Sequence, residues 1–79
     1  MQKHKHVWIP SARGCQENPG CWDTGNGALE FRSACACGMC REEITVYAQG
    51  RGKDSTRLIA PGEPGHSPED VQTARGAMA

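Results

Sequence analysis

Three of the chain's five cysteines fall within six residues, as Cys35-Ala-Cys37-Gly-Met-Cys40. Nothing else in the sequence constrains its folding as strongly. A chain of 79 residues buries only about 60% of the surface its unfolded form exposes, and chains this short commonly need a metal, disulfides or a partner. The apolar fraction is 37%, and the aromatics are Trp8, Trp22, Phe31 and Tyr47. That is too little for a self-sufficient core, so the cysteines are the natural staple.

Their chemistry depends on the compartment. The N-terminal stretch "MQKHKHVWIPSARG" lacks an apolar run of signal-peptide length, and no later segment approaches a membrane span. Five thiols cannot all pair within one chain. Both points predict a cytoplasmic protein with no membrane association, in which clustered cysteines serve as metal ligands rather than bridges. A single Cys21–Cys40 or Cys15–Cys21 bridge remains open on the sequence alone.

Charge argues against one class of partner. Nine basic and nine acidic residues give a net charge of zero, whereas a dedicated nucleic-acid binder normally carries a basic stripe.

The pattern along the chain predicts a small, mostly β domain over residues 4–48, with about three short antiparallel strands. "HVWIP" (6–10) reads as a strand closed by Pro10, which cannot donate to a ladder. The following loop is punctuated by Asn18-Pro19-Gly20 and Gly25-Asn26-Gly27. "ALEFRSA" (28–34) alternates, with Leu29 and Phe31 on one face; "EEITVYA", which ends at Ala48, alternates as well. These two strands place the cysteine cluster at the tip of a β-hairpin. Residues 49–79 hold five of the ten glycines and three of the five prolines. They read as a flexible tail with a short helix at 68–75, introduced by a capping Ser67, Pro68 in the first turn, and the acids Glu69 and Asp70.

Zinc takes four ligands in a tetrahedron, typically two from one loop and two from elsewhere in the chain. Cys35 and Cys37, followed by a turn-permitting Gly38, form one candidate pair; Cys37 and Cys40 form another. His4 and His6 sit two apart in "HKHVW", so a strand there points both to one side, with Trp8 continuing that face. Cys15 and Cys21 lie in the turn-rich loop. Seven candidates exceed the need of one ion, which leaves either one zinc with spare thiols or two zincs sharing a thiolate.

The motifs "HxHxW", "GCQENPG" and "CACGMCR" together resemble short zinc-ribbon-like proteins of bacteria and their phages. The resemblance covers roughly residues 4–48. It implies a zinc-stapled ribbon with His4, His6, Cys35 and Cys37 as metal ligands and Cys15 next in line, while Cys21 and Cys40 depart from the pattern.

No catalytic arrangement accompanies these residues. A deaminase-type H-x-E…C-x-x-C pattern is missing, "GRG" at 50–52 lacks phosphate-loop spacing, and Cys37-Gly-Met-Cys40 has no βαβ context for thiol redox chemistry. The expectation is a non-enzymatic zinc protein acting as a protein-interaction module, by analogy a phage-type modulator of a host enzyme or defence complex. The alternative is a nucleic-acid-binding zinc ribbon. It would use Arg32, Arg41, Arg51, Lys53 and Arg57, with Tyr47 or Trp22 for stacking.

Overall fold

Alternation along 28–34 and the turn-forming run that follows fold the middle of the chain into an antiparallel hairpin. In the computed structural model, which describes residues 5–47 and 53–78, β1 spans Ile9–Pro10 and β2 spans Cys21–Asp23. Three seven-residue strands follow, β3 (Ala28–Ala34), β4 (Cys40–Val46) and β5 (Lys53–Ile59), and then one helix, α1 (Pro68–Met78). All strand pairs are antiparallel, in the order β1-β3-β4-β5, with β2 also paired to β3. His4, Arg51 and Ala48 lie outside the described residues, as does the side chain of Lys53.

The outer edge of β3 is shared by β1 and β2, with an excursion between them. Arg32 marks the junction: its carbonyl accepts from the Ser11 N–H at 2.9 Å, and its N–H donates to the Gly20 carbonyl at 2.7 Å. Gly20 has a φ of +82°, and a Cβ there would stand 2.7 Å from the Arg32 carbonyl oxygen. Only glycine closes the loop at this point.

Register decides what each face carries. Ala34, Cys40 and Ile59 stand in one row across β3, β4 and β5. Val71 and Ala74, three apart on α1 and therefore on one side of it, pack on that row, with Ile9 alongside. The next row on this face is charged. Arg32 pairs with Glu30 (2.9 Å) and Glu42 (2.6 Å), Arg57 approaches Glu42 at 3.9 Å, and Arg32 Nη1 donates to the Gly65 carbonyl at 2.7 Å. The helix covers the dry end of the face and the 60–67 turn covers the charged row.

Three sequence expectations change. The ribbon of about three strands is a five-stranded sheet, and the 6–10 strand shrinks to Ile9–Pro10. The segment read as a flexible tail supplies instead an edge strand bonded to β4 along its length, and a helix that begins at Pro68 as expected and runs on to Met78. Ile59, Val71 and Ala74 from this segment are among the most buried residues. In the hairpin register, Phe31 pairs across from Glu43, and Ile44 from Glu30. Leu29 and Phe31 therefore lie on the face opposite Ile44 and Val46, and Phe31 is left exposed. Neighbouring positions of a strand point to opposite faces, so in this register Leu29 and Phe31 do not pack with Ile44 and Val46.

The helix is locked by a buried carboxylate. Asp70, 2% exposed, accepts from the Ser11 hydroxyl at 2.7 Å and from Arg13 Nη2 at 3.1 Å. Ser67 caps the helix by accepting from the Asp70 N–H at 3.3 Å. No helix among the described residues is long and apolar enough to cross a membrane.

Candidate metal centre

The β3–β4 connection is a tight knuckle. Cys35 N–H donates to the Met39 carbonyl (2.8 Å) and Gly38 N–H to the Cys35 carbonyl (3.0 Å). Gly38 adopts a φ of +110°, a conformation that side chains with a Cβ resist. This turn brings Cys37 back beside Cys35. The N-terminal segment then lays His6 against them: the ligand atoms of His6, Cys35 and Cys37 all lie within 4.8 Å of one another, and Cys37 Sγ is 3.5 Å from His6 Nδ1.

That spacing suits one ion. Tetrahedral zinc with Zn–S near 2.3 Å and Zn–N near 2.05 Å places a sulfur and a nitrogen ligand about 3.6 Å apart. Two thiolates and an imidazole also form a soft donor set of the kind zinc favours. Cys35 is buried, His6 half-buried and Cys37 exposed, so the group is reachable from one side.

The local field prepares Cys35 for ligation. Its thiol is pulled down from an ordinary value of 9.0 to about 5, chiefly because the Cys37 backbone N–H points at the sulfur. Burial opposes the change, and contacts from His6, the Val7 N–H and the Cys37 side chain assist it. A thiolate surrounded by donors binds metal without first losing a proton to bulk solvent.

Trp8 reinforces the N-terminal side. Its ring stacks on His6 with centroids 4.8 Å apart, and the Arg41 guanidinium lies 4.7 Å from the Trp8 ring centroid. The i, i+2 relation between His6 and Trp8 thus holds even though residues 5–8 are not in a strand.

Of the ligands expected from sequence, the structure brings together His6, Cys35 and Cys37. His4 is outside the described residues. Cys15 is exposed on the 11–20 loop, its N–H bonded to the Cys21 carbonyl at 2.9 Å, and is not a member of the group. Cys40 is 1% exposed within the core, with its thiol directed at the Ser67 carbonyl at 3.5 Å. None of the five cysteines is in a disulfide.

Two residues to which the sequence assigned no role also reach the knuckle. Arg75 Nε donates to the Ala36 carbonyl at 2.9 Å. His66 Nε2 is 2.7 Å from the Gly38 carbonyl, and since a carbonyl oxygen only accepts, that ring nitrogen carries the proton. Neither residue belongs to a ligand motif, so spacing alone gave no sign of them. No protein-family model matches the chain, and neither a curated protein nor a solved structure matches it.

Proposed function

We propose that this protein is a zinc-stapled interaction module, in which one ion held by His6, Cys35 and Cys37 ties the N-terminal segment to the sheet. The observation that carries the reading is the convergence of three soft donors from two distant segments, at separations suited to a single tetrahedral ion. His4 is the proposed fourth ligand, on the strength of its two-residue spacing from His6. With four protein ligands the site is closed, and its work is structural rather than catalytic.

The protein-partner reading is supported by the sheet face away from the helix. Phe31 and Leu58 are exposed there, 37% and 51%, beside Trp8 and Arg41. The nucleic-acid alternative needs unengaged arginines, yet Arg32, Arg41 and Arg57 each sit by a carboxylate. The resemblance to ribbon proteins of bacteria and phages adds that the partner belongs to a larger host enzyme or defence complex.

Elemental analysis of the purified protein tests the metal. About one zinc per chain is expected, lost in Cys35→Ser, Cys37→Ser and His6→Ala and weakened in His4→Ala. A metal-free protein that keeps its fold would sink the staple. Binding to single-stranded DNA or RNA with affinity falling steeply in salt would favour the nucleic-acid alternative.

A further inference from the structure

The knuckle is held from outside as well as closed from within. Ala36 and Gly38, the residues on either side of Cys37, present their carbonyls to Arg75 on α1 and to His66 just before it, at 2.9 and 2.7 Å. A peptide unit is planar, so the Ala36 carbonyl and the Cys37 N–H turn together and point in opposite directions. Two backbone groups donate to the Cys35 sulfur, the Val7 N–H and, more strongly, the Cys37 N–H. Arg75, by fixing the Ala36 carbonyl, therefore fixes the direction of that N–H. Gly38 has no Cβ to limit its backbone, and the atom nearest to where one would stand is Pro61 Cγ at 3.7 Å. His66 restrains the plane that glycine leaves free.

Resting on the reading of His6, Cys35 and Cys37 as metal ligands, we propose that α1 and the turn before it are the outer shell of the centre. Arg75 and His66 act as positioning residues that hold the two peptide planes of the knuckle in the metal-binding arrangement. Outer partners of this kind typically change metal affinity by about 10- to 100-fold. The coupling is reciprocal: whatever factor helix docking adds to metal affinity, the metal adds to helix docking. The ion thus secures the C-terminal helix, which supplies none of its ligands, as well as the N-terminal segment.

The test is a cobalt(II) titration of the full chain, followed by the thiolate-to-cobalt charge-transfer band, with zinc competition. Arg75→Ala and His66→Ala should each weaken binding about tenfold or more and perturb the band, with the folded far-ultraviolet signal of the loaded protein unchanged. Arg75→Lys, which keeps a cationic donor, should recover most of the loss. Gln72→Ala, on the exposed side of the same helix, should match the unsubstituted chain. Failure of the unsubstituted chain to take up cobalt or zinc would defeat the metal reading itself. Normal uptake, with both alanine variants binding as tightly as the unsubstituted chain, would overturn the clamp alone. Hydrogen exchange on the unsubstituted chain covers the case of poorly folding variants. Zinc should slow exchange at helix amides 71–78 as well as in the knuckle, and protection confined to the knuckle would equally overturn the proposal.

Discussion

At the scale of the residue, Cys35 collects backbone donors from Cys37 and Val7 before any metal is involved. The pH consequence follows from the direction of the shift. A thiol near 9.0 in the unfolded chain and about 5 in the folded one stabilises the metal-free fold fully above the unfolded value. That contribution shrinks as pH falls and is gone below the folded value. The ultraviolet absorbance of the thiolate in metal-free protein should therefore titrate with a midpoint of about 5, and Cys35→Ser should remove that step. An ordinary thiol midpoint would show that the knuckle amides do not reach the sulfur. The type of this residue was legible from the CACG spacing. Its ionisation was not, since it depends on N–H directions that only the folded turn defines.

Among the elements, α1 is the one whose start the sequence announced most clearly, through Ser67, Pro68, Glu69 and Asp70. The sequence did not distinguish the two acids. Glu69 is exposed, while Asp70 is buried against Ser11 and Arg13. Ser67→Ala should cost about 1 kcal/mol, the usual worth of an N-cap. Asp70→Ala should cost roughly 2–3 kcal/mol, because it leaves the fully buried Ser11 hydroxyl without its acceptor. Denaturant unfolding of the two variants checks the order, and equal losses would mean that Asp70 serves only the helix terminus. Strand β3 was read to the residue, since its seven positions alternate and its hairpin partner is close in sequence. Strand β5 was missed for the converse reason. Among the described side chains of "KDSTRLI", only Ile59 is fully buried, and glycine and proline on either side mask the strand's weak alternation. Its pairing with β4 emerges only from three-dimensional register.

For the whole molecule, the core is a single row of three sheet residues closed by two from the helix. Truncation after Ile59 removes Val71 and Ala74 and uncovers Ala34, Cys40 and Ile59, so the shortened chain should lose its cooperative thermal transition. A truncated chain that melts like the full one would place the stabilising contacts elsewhere. The sequence pointed correctly to a chain poor in core, with a His/Cys group, His6, Cys35 and Cys37, that could hold a metal ion. It hid the contribution of the last third, because apolar burial there rests, among the described residues, on Ile59, Val71 and Ala74 in a stretch of turn-forming composition. The placement of the two tryptophans has an optical consequence. Trp8 stacks on His6, whereas Trp22 hydrogen-bonds to Glu30 on the other side of the sheet. An excited indole is sensitive to the protonation and ligation of an imidazole stacked against it, so the two emitters amount to a gauge and a reference in one chain. Zinc addition should change the fluorescence of Trp22→Phe protein, which retains only Trp8, more strongly than that of Trp8→Phe protein. Occupancy of the centre could then be followed by light alone, without a label.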